Sequence, residues 1–322
     1  MKIAFVGKGG SGKSTISSLF IRYLNDRRET GVLALDADLN MNLAGLLGVG
    51  MPADKHLSAP QNAAALRQFL KGNNQRVRDK NAFLPTTPAA DGSGIILSVD
   101  DPHLAPYAVM VKENPPLSLL TVGTYVAEEI GQACYHTNLF VAENLLTHTI
   151  FKKDEWLVAD MVAGTDAFSY SLHLQFDAII LIVEPTPESV EVCKLYDGLA
   201  KEAGMGQLVH LIANKIEDDE DLNFIRQATG KEPLGFVPSM SQLRKFRQKG
   251  GAVEEGMLTD GLCGLFADVY DSALSPSPNA AKRYEMLREL HHKLCLQDWV
   301  ISGYGGHVAG QYGDLSPLKK AI

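Results

Sequence analysis

The sequence has few of the features that mark secreted or membrane-embedded proteins. Its four cysteines are spread over 322 residues with no paired spacing, so a disulfide framework is not expected. No apolar run approaches the roughly 20 residues needed to cross a bilayer. The N-terminus reads as a short strand and not as a charged, apolar targeting segment. We therefore expect a cytoplasmic protein with reduced thiols and no membrane span.

The chain also lacks an excess of positive charge. Thirty Lys and Arg residues stand against 38 Asp and Glu residues, which gives a formal charge of -8 and a pI near 5.6. This balance argues against a broad surface that holds nucleic acid by neutralising phosphates. One basic run, residues 244–249, leaves local contact with nucleic acid open, although a solvated helix face is the simpler interpretation.

Short apolar runs that do not alternate with polar residues recur through the first 240 positions. Such runs are typical of strands that helices cover on both faces, so they predict an α/β fold with a doubly wound, mostly parallel sheet. Thr186, followed by Pro187 and Glu188, predicts a capped helix start. The predicted strands are residues 2–6, 31–35, 117–122, 156–159, 178–183, 208–213 and 234–237.

Two regions fit this pattern poorly. Residues 51–116 are polar and rich in Pro, Asn and Gly, which favours an insertion with little regular structure, partly mobile or ordered only by a partner. After Pro276 and Pro278, a helix-like stretch at residues 280–294 precedes a Gly-rich tail. We expect one domain over residues 1–274, including the insertion, and a C-terminal helix and tail over residues 275–322.

The first predicted strand leads into Gly-Lys-Gly-Gly-Ser-Gly-Lys-Ser at residues 7–14, which fits the phosphate-binding pattern G-x-x-x-x-G-K-[ST]. Glycines let backbone N–H groups face phosphate oxygens, and the helix that follows adds its positive dipole end. Lys13 is expected to reach the β- and γ-phosphates, and Ser14 to ligate Mg2+. The fold is therefore expected to be of the P-loop NTPase type. The expected nucleotide cradle is Gly9, Gly10, Ser11, Gly12, Lys13, Ser14 and Thr15.

Carboxylates stand at two further strand ends. Asp36 and Asp38 follow the second strand, and Asp160 follows the strand at residues 156–159. A strand end beside a P-loop is where carboxylates can meet a metal and the γ-phosphate, whereas the plainer interpretation is aspartates that cap turns. Together with the P-loop, these residues predict ATP hydrolysis with Mg2+.

Lys8, at the start of residues 8–15, resembles the signature lysine of the deviant Walker A ATPases. That family includes MinD, ParA, the nitrogenase iron protein and CooC-type metal-insertion ATPases. The resemblance implies a homodimer that forms on ATP binding, in which Lys8 crosses the interface to the partner's nucleotide. It also implies that Asp36 holds Mg2+ through water and that Asp38 orients the attacking water.

Residues 160–164 resemble the switch II motif of the same family. By that resemblance Asp160 contacts the direct ligands of Mg2+ and does not bind the ion itself, and Gly164 senses the γ-phosphate. CooC-type proteins tend to carry a carboxylate inside this motif and a Glu-His pair after it. Here Val162 and residues 165–167 stand in those places, so hydrolysis could be coupled to movement differently.

The base-binding residues are also identified by resemblance. Asn214 and Lys215 resemble the family's base-contacting pair, and Pro238 the start of the loop that packs against adenine. Asn-Lys-x-Asp would select guanine, but Glu217 stands where that Asp would be. We favour ATP on the resemblance of the P-loop to this family and keep GTP as the alternative.

Cys134 and His136 form a Cys-x-His pair where CooC-type proteins carry Cys-x-Cys. Two such pairs across a homodimer would supply two thiolates and two imidazoles, which suit Zn2+ and could hold Ni2+. The alternative is a small buried cysteine beside a surface histidine. Cys193 and Cys263 are expected to pack in the core, and residues 291–295, with two histidines and a cysteine, to form ordinary helix surface.

Two functions remain in competition. The first is a Mg2+-dependent ATPase that switches between monomer and ATP-bound homodimer and serves metal insertion into, or maturation of, a client metalloenzyme. The second is a ParA- or MinD-like positioning ATPase that acts on DNA or a protein scaffold. Membrane attachment of the MinD kind needs an amphipathic C-terminal helix, and residues 314–322 show no such pattern.

Overall fold

The computed structural model describes residues 1–124, 135–152, 154–168, 170–240, 246, 248–274 and 280–312, and only the backbone of residues 135–137, 167, 280 and 281. Within these residues, eight strands form a single sheet in the order β3-β4-β2-β5-β1-β6-β7-β8. All neighbours are parallel except β3, which runs antiparallel to β4. The strands are β1 Lys2–Gly7, β2 Gly31–Ala37, β3 Val109–Lys112, β4 Leu117–Thr121, β5 Glu155–Met161, β6 Ala178–Val183, β7 Val209–Ile216 and β8 Gly235–Pro238.

Helices cover both faces of this sheet, which explains why the strands read as continuous apolar runs. Ile3 and Phe5 of β1 pack in one core cluster, whereas Ala4 and Val6 pack in the cluster on the opposite face. Full burial of each large apolar side chain contributes about 1.5–3 kcal/mol. The mostly parallel sheet with helices on both faces confirms the predicted doubly wound α/β fold.

The helices divide between the two faces. Residues of α1, α2 and α7 belong to one core cluster, and residues of α3, α4, α5 and α6 to the other. A short π-helical segment, Tyr23–Arg27, continues α1. The helices are α1 Lys13–Arg22, α2 Leu43–Leu47, α3 Pro60–Lys71, α4 Tyr135–Thr147, α5 Pro187–Glu202, α6 Asp219–Thr229, α7 Asp260–Leu274, α8 Ala280–Cys295 and α9 Asp298–Tyr304.

The predicted start of α5 is confirmed at residue level. Pro187 is its first residue, and the Thr186 side chain accepts a hydrogen bond from the backbone N–H of Ser189. None of the helices within the described ranges is long and apolar enough to span a membrane. Cys193, on α5, is buried as expected, and Cys263, on α7, is partly buried against the core.

The expectation that residues 51–116 have little regular structure is wrong. This insertion contains α3 and the edge strand β3, which pairs with β4. Leu66 and Leu70 of α3 are buried, and Phe83 and Ile96 join the same core cluster. The segment is ordered because its scattered apolar residues pack on the sheet, although their spacing follows neither a strand nor a helix period over most of its length.

The C-terminal region also differs from its expected form. The helix predicted at residues 280–294 is present as α8, but α9 and a 3-10 helix, Gly306–Gln311, follow where a Gly-rich tail was expected. The expectation that residues 291–295 form ordinary surface is wrong for His291 and Cys295, which are buried. The His291 ring donates from Nε2 to the carbonyl of Val308 at 2.8 Å, so its Nδ1 accepts from the Thr86 hydroxyl at 2.7 Å.

Candidate nucleotide site

A cavity of about 850 Å³ lies at the carboxyl ends of the parallel strands, where ligands bind in open α/β sheets. The P-loop forms one wall, and residues at or just after the ends of β2, β5, β7 and β8 form most of the rest, together with Leu46 of α2 and Gln248. The predicted residues that line it are Gly9, Gly10, Gly12, Lys13, Ser14, Thr15, Asp38, Asn214, Lys215 and Pro238. The others, which lie next to it or beneath it, are Lys8, Ser11, Asp36, Asp160 and Gly164.

The P-loop backbone requires glycine where it turns into α1. Gly12 precedes α1 with φ +98°, and a Cβ atom at this position would collide with the Asn214 side chain. The Asn214 amide nitrogen donates to the carbonyl of Ser11 at 2.7 Å. The end of β7 therefore stabilises the P-loop through Asn214, the residue predicted to contact the base.

Lys13 and Asp38 form a buried ion pair inside the cavity. The Lys13 ammonium lies 3.3 Å from one Asp38 oxygen, and each side chain is 6% exposed. The other Asp38 oxygen accepts from the backbone and side-chain N–H groups of Asn40, both at 2.9 Å. Phosphate oxygens entering the loop would compete with Asp38 for Lys13, so the pair links the segment after β2 to phosphate binding.

Asp36 and Asp160 face each other across neighbouring strands, since they are register partners of β2 and β5. Both are fully buried. Burial raises the pKa of Asp36, and the charge of Asp160 raises it further. Burial likewise raises the pKa of Asp160, against the opposing effects of the Ser14 hydroxyl and Lys13. Neither carboxylate oxygen of Asp160 has a well-formed hydrogen bond within the described part of the chain.

This carboxyl pair fits a hard divalent cation. Two neighbouring carboxyls whose pKa values are raised by burial are stabilised as anions by a nearby cation, and Mg2+ prefers oxygen ligands such as carboxylate, hydroxyl and phosphate. The Ser14 hydroxyl is close enough to act on Asp160. The residues predicted for Mg2+, Ser14, Asp36 and Asp160, thus lie together at the base of the cavity.

Glu184 joins the two other lysines of the site and was not found by sequence reasoning. It follows β6 directly, and its two oxygens contact Lys8 at 3.3 Å and Lys215 at 2.6 Å. Lys215 also donates to the carbonyl of Gly10 at 2.7 Å and has φ +63°, a conformation unusual for a side chain of this size. The position of Glu184 at a strand end on the P-loop edge was the available signal.

The remaining predicted residues divide into two groups. Gly164 donates its backbone N–H to the carbonyl of Gly7 at 3.2 Å, which places switch II against the P-loop. Cys134 and the side chain of His136 lie outside the described residues. Within the described ranges, no group of three or more His, Cys, Asp and Glu side chains is arranged to hold a metal ion.

Comparison with known sequences agrees with this geometry. Residues 3–253 match the family described as the CobQ/CobB/MinD/ParA nucleotide binding domain. The carbon monoxide dehydrogenase accessory protein CooC of Rhodospirillum rubrum is 32% identical over 78% of this chain and 88% of its own. An uncharacterised ATP-binding protein of Methanocaldococcus jannaschii is 32% identical over 74% of this chain and 85% of its own.

Solved structures support the same fold. A ParA family ATPase from Chlorobium tepidum superposes with a TM-score of 0.56 at 16% identity, over 85% of this chain and 99% of that chain. The cell division ATPase MinD of Pyrococcus furiosus gives a TM-score of 0.53 at 20% identity, over 84% and 98%. The chain belongs to the CobQ/CobB/MinD/ParA family of nucleotide-binding proteins and is a P-loop ATPase of the MinD/ParA type.

Proposed function

We propose that the protein is a Mg2+-dependent ATPase that alternates between a monomer and an ATP-bound homodimer, and that this cycle serves metal insertion into a client metalloenzyme. The observation that carries the client class is the 32% identity to a carbon monoxide dehydrogenase accessory protein over most of both chains. The name of that relative includes a metalloenzyme, so a metalloenzyme is the proposed partner of this chain.

The hydrolytic step assigns a role to each residue at the cavity. Lys13 holds the β- and γ-phosphates, and Asp38 orients the water whose oxygen attacks the γ-phosphorus as the bond to ADP breaks. Ser14, Asp36 and Asp160 would hold Mg2+, directly or through water. When bound, Mg2+ would neutralise the buried carboxyl pair and the phosphate charge. ATP is the proposed nucleotide, contacted by Asn214 and Lys215, with Pro238 beside the base.

The monomer-to-dimer switch requires Lys8 to change partners. In this structure the Lys8 ammonium contacts Glu184 of the same molecule, and the Lys8 side chain is 34% exposed. To reach a second copy's phosphates, Lys8 must leave Glu184, whose other oxygen stays paired with Lys215. Glu184 is therefore proposed to hold the signature lysine back in the nucleotide-free monomer.

The transported metal is cargo and not a resident cofactor. The proposed carrier is Cys134 with His136 from each of two protomers, which would give four ligands suited to Zn2+ or Ni2+. A single chain would offer only one thiolate and one imidazole. Tight binding is thus expected only in the nucleotide-bound dimer, and it weakens as falling pH protonates the ligands.

Metal titration in the presence of a non-hydrolysable ATP analogue tests this proposal. The reduced wild type should take up about one Zn2+ or Ni2+ per dimer, and Cys134→Ser should take up none. Cys263→Ser is the matched control, because Cys263 is partly exposed on a helix outside the proposed carrier site. Equal uptake by Cys134→Ser and wild type contradicts the metal role. ATP-dependent, salt-sensitive DNA binding without metal uptake would favour a ParA-like positioning function instead.

A further inference from the structure

A second cavity, of about 280 Å³, opens at the amino-terminal edge of the sheet, beside Lys2. Lys2 begins β1 and Gly7 ends it at the P-loop, so a strand length of roughly 17 Å separates this cavity from the nucleotide site. Most of its wall is apolar and includes Leu146, Ile150, Phe151 and Leu287. Its volume lies near the lower end of the range of about 300–1,000 Å³ found for small-molecule sites.

The Lys2 ammonium in this wall has no carboxylate partner within the described ranges. It donates to the carbonyl of Leu146 at 2.5 Å. The nearby Asp177 is already engaged, since one oxygen lies 2.7 Å from Arg283 and the other accepts from the Lys2 backbone N–H at 2.8 Å. Burial lowers the pKa of Lys2 to about 8, so the group still carries its charge at neutral pH.

Gln175 places a second unsatisfied donor in the same wall. Its side chain is buried at 7% exposure, and its amide nitrogen has no hydrogen-bond partner among the residues described. Gln175 lies between the 3-10 helix Leu172–Leu174 and β6, next to the Asp177 that contacts β1. Buried polar groups are almost always paired in native proteins, so this unpaired donor, on a residue that lines the cavity, indicates a missing acceptor.

We propose that this cavity binds a small organic carboxylate with an apolar body. Its carboxylate would accept hydrogen bonds from Lys2 and Gln175, and its hydrocarbon part would lie against Leu146, Ile150 and Leu287. One negative charge on the ligand matches the ammonium of Lys2.

Calorimetric titration with hexanoate tests the site, and hexanamide is the uncharged analogue of the same size. Hexanoate should bind wild type saturably, and hexanamide at least tenfold more weakly, because it lacks the charge that Lys2 stabilises. Lys2→Met and Gln175→Leu should each weaken hexanoate binding at least tenfold. Lys194→Met, on the exposed surface of α5, is the matched control and should bind like wild type.

A structural role for Lys2 makes the opposite prediction for stability. If Lys2 only supports the fold, Lys2→Met lowers the thermal midpoint of the ligand-free protein. If Lys2 instead serves ligand binding, the thermal midpoint of Lys2→Met should equal or exceed that of the wild type, and nucleotide binding should be retained. Absence of saturable hexanoate binding, equal binding of hexanamide, or unchanged affinity in both Lys2→Met and Gln175→Leu overturns the proposal.

Discussion

The nucleotide edge of the sheet and the contact between the insertion and the C-terminal region are built in different ways. At the nucleotide edge, Lys13 begins α1 after the P-loop, and Asp36 and Asp160 stand near the ends of β2 and β5, each inside a short recognisable motif. We call the second region, residues 82–87 with 291–311, the insertion–extension contact. There the Gln311 amide nitrogen donates to the carbonyl of Ala82 at 2.6 Å, and the two residues are 229 positions apart in the sequence. Local sequence motifs position the side chains of the nucleotide site, whereas contacts between residues distant in sequence stabilise the second region.

The two regions also differ in their relation to the family. The family match ends at residue 253, so α8, α9 and the 3-10 helix lie outside it. Leu84 of the insertion is buried together with Leu294, Val300 and Val308 of that extension. The insertion–extension contact is therefore expected to affect stability, and the nucleotide edge to affect catalysis. Substitutions on each side can test this division.

Lys13→Ala should have the largest effect. It removes the charge-assisted contact to the β- and γ-phosphates from a cavity built around it, so calorimetry should show no ATP binding and phosphate release should stop. Lys194→Ala, an exposed lysine on α5, is the control and should behave like wild type. Retained ATP affinity and turnover in Lys13→Ala would remove the assigned role of the P-loop.

Asp38→Asn should retain ATP but hydrolyse it at least about 10²-fold more slowly, the usual scale for loss of a positioned group that accepts a proton or orients water. Asparagine keeps the size of the side chain while it loses the charge that now pairs with Lys13. The variant should accumulate with ATP bound, which single-turnover measurement of bound nucleotide would detect. Turnover at the wild-type rate means that another group orients the water.

Thr87→Val tests the opposite side of the comparison. The Thr87 hydroxyl donates to Gln311 at 2.6 Å and accepts from the backbone N–H of Leu84 at 2.8 Å. The substitution leaves two buried partners unsatisfied, so the free energy of unfolding should fall by about 3 kcal/mol. ATP turnover at 25 °C should not change. Ser302→Ala, at an exposed site on α9, provides the control in urea titrations.

The pH dependence of stability should depend on His291. Burial lowers its pKa to about 4, below the value of about 6.5 in the unfolded chain. The unfolded state then binds more protons between these values, so stability is complete above pH 6.5 and is lost as pH falls toward 4. The contribution of His291 to this loss should be about 2 kcal/mol at pH 5 relative to pH 7. His291→Gln should reduce this difference in urea titrations, and an equal pH dependence in both proteins contradicts the assignment.

The sequence was sufficient for the seven parallel strands, because strands buried on both faces are continuous apolar runs, but not for the edge strand β3. It was also sufficient to locate the P-loop, Asp36, Asp38 and Asp160, since each follows such a run. The insertion was misjudged because α3 is alanine-rich, and because the order of the insertion depends on contacts with the sheet and with Gln311. Glu184 was missed because it belongs to no motif and gains its role only beside Lys8 and Lys215.

Sedimentation velocity of the wild type, Lys8→Ala and Glu184→Gln tests the proposed switch most directly. With Mg2+ and a non-hydrolysable ATP analogue, the wild type should shift from monomer to dimer, and Lys8→Ala should remain largely monomeric. Glu184→Gln, which frees Lys8 from its partner in the same chain, should dimerise at lower protein concentration; Glu188→Gln, in the first turn of α5, serves as its control. A wild type that stays monomeric with saturating analogue, or a dimer that depends on neither nucleotide nor Lys8, would contradict the account.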